Sequence, residues 1–150
     1  MNKDTLSTDE MKIWWMWKNS FENIFGKIAK DTAKQTGLSE NDFGILDRLI
    51  NHGQGELRQQ KLVDLLGWTK SRLSHYLMRM ERRGLIQRKS LDHGNGINVV
   101  ITSFGKKELD NLRPVLAKEI RKHFLDKLTK QDIDSITKLA KKTENDLHDK

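Results

Sequence analysis

Residues 67–90, GWTKSRLSHYLMRMERRGLIQRKS, determine how the middle of this 150-residue chain folds. Gly67 is a typical end for a preceding helix, and Thr69 is a typical N-cap for the next one. Gly84 is a typical end for that second helix. At about 100° per residue, one side of a helix over residues 70–83 is apolar, with Leu73, Tyr76, Leu77 and Met80. The opposite side carries Ser71, Ser74, His75, Met78, Arg79 and Arg82. The stretch therefore predicts a helix with one buried side and one side of hydrogen-bonding groups.

The flanking sequence extends this helix into a larger motif. Residues 59–66 have the apolar pattern of a short helix, and a turn of about three residues with a glycine is typical of a helix-turn-helix. Downstream, residues 85–90 and the INVVIT run at 97–102 favour β-strands, and Asn95-Gly96 between them is a strong turn signal. A helix-turn-helix followed by a hairpin predicts a winged helix over residues 38–102.

Long helices are predicted at both ends of the chain. Ser7 and Glu10 have capping-box spacing before a helix over residues 8–36, and Thr129 caps the last helix of the segment 103–147. The first helix is apolar over so much of its circumference, including IWWMW at 13–17, that we expect more than one neighbour to bury it. The fold class is therefore mainly α with a small β-hairpin, in a single domain over residues 1–150.

Charge is concentrated in the predicted winged helix. The chain has a formal net charge of +7, and residues 70–89 contain seven Lys and Arg residues against one acid. A local basic cluster indicates a polyanionic partner, although a solvated basic face is the plainer interpretation. The longest apolar run is too short to span a bilayer and no signal-peptide pattern opens the chain, so we expect a cytoplasmic protein without a membrane partner.

The stretch from Leu62 to Arg88, followed by INVVIT and TSFGKKEL, resembles the MarR family of bacterial transcriptional regulators. Members typically show an apolar short helix, a glycine, a Ser/Thr cap, a Ser/Thr-rich recognition helix, a basic residue before Gly-Leu-Ile, a strand arginine and a wing ending in Leu-Thr. The matching positions are Leu62, Leu66, Gly67, Thr69, Ser71, Ser74, Arg83, Gly84, Leu85, Ile86, Arg88, Ile101 and Thr102. The resemblance covers nearly the whole chain and implies that the N- and C-terminal helices form a dimer interface.

These observations lead to the hypothesis of a homodimeric repressor or activator that binds double-stranded DNA at a pseudo-palindromic operator. Hydroxyl, imidazole and guanidinium groups suit base edges and phosphates. We expect Ser71, Ser74 and His75 to contact bases. The other predicted DNA-binding residues on the helix are Thr69, Lys70, Arg72, Arg79 and Arg82. Arg83, beside Gly84, is equally well explained as a partner of the helix dipole.

The predicted wing departs from the family pattern. Members usually carry arginines at the wing tip, whereas the corresponding positions here are Gly94 and Asn95. Either the wing contact with DNA is weaker than in the family, or it rests on His93 and Asn95, with Arg88 and Lys89 on the adjacent strand.

The resemblance also implies a small aromatic or phenolic effector. Trp14, Trp15, Trp17, Phe43 and His52 are candidate pocket residues. Aromatic residues at helical spacing are more often core or dimer interface, because burial stabilises them without a ligand. No effector-binding residue is therefore assigned.

The sequence also bears on two other classes of function, a protein-interaction module and an enzyme. The alternative is a helical protein-interaction module whose basic face binds acidic partners without reading DNA sequence. An enzyme is disfavoured, because the five histidines lack metal-ligand spacing, no phosphate-binding glycine loop occurs and there are no cysteines. No cofactor and no metal site are expected.

Overall fold

A computed structural model describes residues 4–91 and 96–148, with the side chains of residues 145–148 excepted. The described residues form six α-helices, one short 3₁₀ helix over Leu125–Lys127 and a three-stranded sheet. The helices are α1 (Thr8–Thr36), α2 (Glu40–Gly53), α3 (Gln59–Leu66), α4 (Lys70–Arg82), α5 (Ser103–His123) and α6 (Lys130–His148). The strands are β1 (Glu56–Arg58), β2 (Ile86–Ser90) and β3 (Ile97–Ile101). The predicted winged helix with flanking helices is confirmed.

The residues Ala29–Leu116 form one compact unit, which contains the whole winged helix. Its sheet is antiparallel in the order β1-β3-β2, so the predicted hairpin gains a third strand from the segment before α3. Leu57 and Arg88 both lie opposite Val99, which places β3 at the centre of the sheet. The short strand β1 thereby fixes the start of α3 against the hairpin.

The core of this unit is closed by its own side chains. Thirteen hydrophobic residues from α2, α3, α4, α5 and the adjoining strands are buried in one cluster. Leu73, Leu77 and Met80 of α4 belong to it, and Tyr76 packs against it half-buried, so the predicted apolar side of α4 is confirmed. Burial of these side chains fixes which side of α4 is left for solvent.

Local signals set the ends of α4. The Thr69 hydroxyl accepts a hydrogen bond from the backbone N–H of Arg72 at 3.2 Å, as expected of an N-cap. Gly84, with φ of 76°, turns the chain from α4 into the sheet. A Cβ at Gly105 in the first turn of α5 would collide with the backbone carbonyl of Leu85, so glycine allows α5 to begin beside the hairpin.

A second compact unit comprises the chain up to Ile28 and from Ala117 onward. The predicted capping box is present, because the Glu10 carboxylate accepts from the Ser7 N–H at 2.8 Å and the Ser7 hydroxyl from the Glu10 N–H at 3.3 Å. This backbone hydrogen bond lowers the pKa of Glu10. The Thr129 hydroxyl likewise caps α6, accepting from the Asp132 N–H at 3.2 Å.

The apolar stripe of α1 is present, and it is exposed in the single chain. Eight large hydrophobic side chains between Met11 and Phe25 are 40–64% exposed, so the described residues of this one chain do not supply the neighbours that the sequence predicts. In α6, Ile133, Ile136 and Leu139 are also exposed. Helical periodicity correctly predicts an apolar side, but it does not specify that a surface of the same chain will cover it.

No helix in the described part of the chain is both long and apolar enough to cross a membrane.

Candidate nucleic-acid interface

The solvent side of α4 forms an open polar groove with the start of α3. Gln59, Lys70, Ser71, Ser74 and His75 line it. Lys70, Ser71 and His75 are exposed, and Ser74 is half-buried deeper in the groove. The structure therefore brings together four residues that the sequence predicted to bind DNA.

Gln59 belongs to this groove and was missed by the sequence analysis. It is the first residue of α3 and only 8% exposed, and its side-chain carbonyl oxygen has no hydrogen-bond partner among the described residues. An unpaired buried polar group is costly, and the residue lines the groove beside Lys70, Ser71, Ser74 and His75, so we count it among the candidate residues. Sequence periodicity gives no signal for this residue, because its place depends on how α3 packs on α4.

Two predicted arginines lie on aromatic rings. The Arg72 guanidinium lies 4.0 Å from the ring centroid of Trp68, and that of Arg79 lies 4.7 Å from the centroid of Tyr76. Trp68 and Tyr76 contact each other edge-to-face with centroids 5.6 Å apart. Both arginines are exposed, so their charges remain available to an anion.

Tyr76 contacts Ser39, the N-cap residue of α2. Its hydroxyl and that of Ser39 lie 2.6 Å apart, within hydrogen-bond distance. Burial raises the pKa of the Tyr76 phenol above its ordinary value, and the hydrogen bond with Ser39 opposes this effect. The phenol is therefore neutral at physiological pH and fixed in position.

The two arginines at the end of α4 have different environments. Arg82 is exposed, and its guanidinium contacts the sulfur of Met78 at 3.6 Å. Arg83 instead donates to the buried carboxylate of Asp42 at 2.9 Å and to the carbonyl of Gly37 at 3.0 Å. Arg83 thus joins the end of α4 to the α1–α2 junction, a role that the helix-dipole interpretation did not include.

The residues predicted to act in the wing differ in their environments. Arg88 is half-buried and forms an ion pair with Glu81 of α4 at 3.2 Å, and its backbone N–H donates to the same carboxylate at 2.7 Å. Lys89 is exposed on β2. His93 and Asn95 lie outside the described residues, so their predicted contacts stay predictions from the sequence.

Taken together, these residues present cations, hydroxyls and an imidazole on one side of α4. Lysine and arginine can donate to phosphate oxygens, while hydroxyl, imidazole and amide groups can donate to or accept from base edges. The groups suit a double helix more than an acidic protein surface, because charge alone would serve the latter.

The crystal structure of AbsC, a MarR family transcriptional regulator from Streptomyces coelicolor, is similar over 99% of this chain and 100% of its own. The two chains are 27% identical, and the TM-score is 0.82. The chain has the fold of MarR-family transcriptional regulators. This similarity confirms the resemblance found in the sequence and agrees with a regulator rather than an enzyme.

Structures of other transcriptional regulators share the fold at lower identity. Sco3205 from Streptomyces coelicolor, solved in complex with DNA, is 22% identical, with a TM-score of 0.82 over 95% of this chain and 91% of its own. The organohalide-sensing regulator RdhR-CbdbA1625 in its 2,4-dichlorophenol-bound form is 18% identical, with a TM-score of 0.74 over 97% and 88% of the two chains.

A sequence-family model also matches the winged helix of this chain. Its description is "Domain of unknown function (DUF7343)", and it matches residues 38–100. A search of curated proteins finds no match.

Proposed function

We propose that this MarR-family chain is a sequence-specific double-stranded DNA-binding transcriptional regulator that acts as a homodimer on a pseudo-palindromic operator. The observation that carries the proposal is the polar side of α4, which is exposed while the opposite side closes the core. The AbsC relationship and the DNA complex of Sco3205 support it.

The proposed contacts are of two kinds, base contacts from the groove and phosphate contacts from the residues around it. Ser71, Ser74 and His75 contact base edges in the major groove, and Gln59 joins them because its amide can both donate and accept. The phosphate contacts come from Thr69, Lys70, Arg72, Arg79, Arg82 and Lys89. For Arg88 we propose a structural role in place of the predicted DNA contact, since its guanidinium already forms an ion pair with Glu81.

The exposed apolar side chains of α1 and α6 support the homodimer. Contiguous exposed hydrophobic surface of this kind marks an association site in soluble proteins. A second copy of the chain offers the same surface, as a two-fold interface requires. Two recognition helices related by this two-fold would occupy half-sites about one helical turn apart.

A small aromatic or phenolic effector is the finer part of the proposal. The dichlorophenol-bound RdhR-CbdbA1625 structure supports it, and three of the four tryptophans lie on α1, where a bound phenol would quench fluorescence. Titration with a panel of aromatic acids and phenols tests this point. Saturable quenching by one compound, with weaker DNA binding, supports it, and no quenching by any compound contradicts it.

Selection of bound duplexes from a random pool tests DNA recognition directly. We expect enrichment of an inverted repeat and, in competition at fixed salt, at least about 1,000-fold weaker binding of a random duplex. Equal affinity for selected and random duplexes would contradict the proposal and favour the helical protein-interaction module.

A matched histidine pair sharpens this experiment. His75→Ala removes an exposed imidazole from the groove, and His52→Ala removes an exposed imidazole from the end of α2. We expect His75→Ala to reduce affinity for the selected duplex about tenfold, and His52→Ala to leave it unchanged. Equal effects of the two variants would contradict the assignment of the groove.

A further inference from the structure

One edge of α4 alternates aromatic rings with guanidinium groups. Trp68 lies just before the N-cap of α4, and Arg72, Tyr76 and Arg79 follow on the helix at spacings of four and three residues, which keeps those three on one side. Each guanidinium lies over the ring that precedes it, at 4.0 Å for Arg72 and 4.7 Å for Arg79. The rings also contact each other, with centroids 5.6 Å apart.

We propose that Trp68 and Tyr76 are positioning residues, which hold the guanidiniums of Arg72 and Arg79 in place for DNA phosphates before DNA arrives. This inference rests on the proposed DNA-binding function. It assigns to the two rings a role in affinity that acts through the arginines, with no contact of their own to the duplex.

The partners of neighbouring arginines show why rings serve this purpose. Arg83 and Arg88 pair with the carboxylates of Asp42 and Glu81, which neutralise their charge and join parts of the fold. Arg72 and Arg79 have no carboxylate within ion-pair distance among the described residues. An aromatic face attracts a guanidinium without cancelling its net charge, so the cation stays available to a phosphate.

The rings are themselves fixed, and this is necessary for positioning. Trp68 and Tyr76 are half-buried against the core, and the Tyr76 hydroxyl is within hydrogen-bond distance of Ser39. A free arginine loses much side-chain freedom when it binds a phosphate. Stacking on a fixed ring removes part of that freedom in advance, which strengthens binding without a new contact.

A double-mutant cycle tests the inference on the full-length chain. Trp68→Leu, Arg72→Ala and the double variant are compared by the dissociation constant for the selected duplex, with thermal unfolding as a second measurement. We expect Trp68→Leu to weaken binding about three- to tenfold in the parent chain but less than about twofold in the Arg72→Ala background. Trp68→Phe, which keeps an aromatic face, should restore most of the affinity.

The control cycle pairs Trp68→Leu with Arg113→Ala, which removes an α5 cation that is paired with Asp47 of α2. We expect those two effects to be independent. An equal loss from Trp68→Leu with and without Arg72 would overturn the inference, whereas the parent chain would still bind DNA. If Trp68→Leu does not fold, the same cycle is run on the second ring–arginine pair, with Tyr76→Leu and Arg79→Ala. A parent chain that binds no selected duplex overturns both the proposed function and the inference.

Discussion

The two compact units of this chain use their hydrophobic residues in opposite ways. In the unit Ala29–Leu116, the apolar sides of the helices meet one another and the sheet, and they form a closed cluster. In the unit formed by the terminal segments, the large apolar residues of α1 and α6 remain exposed. The comparison indicates that the first unit is completed by the chain itself, whereas the second needs another surface.

This difference separates two tasks. A closed core holds α4 rigidly and leaves its polar side free to contact DNA. An open apolar surface gains stability only by association, and in a two-fold regulator that association sets the distance between recognition helices. The largest expected effects of mutation should therefore be unfolding in the first unit and dissociation in the second.

Leu77→Ala in the closed core should produce the largest effect. Leu77 is fully buried on α4, so the variant should lose about 2–5 kcal/mol of unfolding free energy. Chemical denaturation followed by circular dichroism measures this loss. A change below about 0.5 kcal/mol would show that the core does not depend on this side of α4.

Trp17→Ala on α1 should weaken self-association instead. The indole is exposed in the single chain, and aromatic residues at interface centres contribute about 2–4 kcal/mol to association. Sedimentation equilibrium measures the dimer dissociation constant, and Lys12→Ala on the same helix is the control. An unchanged dimer in Trp17→Ala would remove the indole from the proposed interface.

Arg82 and Arg83 offer a comparison between adjacent residues of equal charge. Arg83→Ala should lower the unfolding free energy by about 1–3 kcal/mol, because it leaves the buried Asp42 carboxylate without its arginine. Arg82→Ala should leave stability within about 0.5 kcal/mol and flatten the salt dependence of DNA binding by about one unit. Thermal unfolding and binding titrations at several salt concentrations check both. A loss of stability in Arg82→Ala, with a flatter salt dependence in Arg83→Ala, would contradict the environments described for the two arginines.

Gln59→Leu should produce the smallest change in stability. Its amide oxygen has no partner among the described residues, so an apolar replacement of similar size should be neutral or slightly stabilising. Discrimination between the selected duplex and single-base variants should nevertheless fall several-fold, by about 1 kcal/mol. Unchanged discrimination in a competition assay would exclude Gln59 from the contacts to DNA.

Much of the fold could be predicted from local sequence signals. The caps at Ser7, Thr69 and Thr129 and the apolar side of α4 depend on residues close together in the chain. The pairing of Arg83 with Asp42 could not be predicted, because it joins residues 41 positions apart. Periodicity also could not identify what covers α1, since it shows that a side is apolar without showing which molecule covers it.

For the candidate site, too, local features could be predicted and contacts between elements could not. The solvent side of α4 was predicted correctly as a surface, because helical geometry alone separates Ser71 and His75 from the core. Gln59 and the ring-stacked arginines were not predicted in their roles, because these depend on packing between elements. A ring three or four residues before an arginine, as in Trp68–Arg72 and Tyr76–Arg79, is a sequence signal that could have indicated the stacking in advance.

The stoichiometry of the chain on its selected duplex is the most direct test of the account. Sedimentation velocity with a labelled duplex containing one inverted repeat measures the mass of the complex. The account predicts two chains on each duplex, bound together without a stable one-chain intermediate at concentrations above the dimer dissociation constant. A complex of one chain per duplex, or free DNA at every protein concentration, would contradict it.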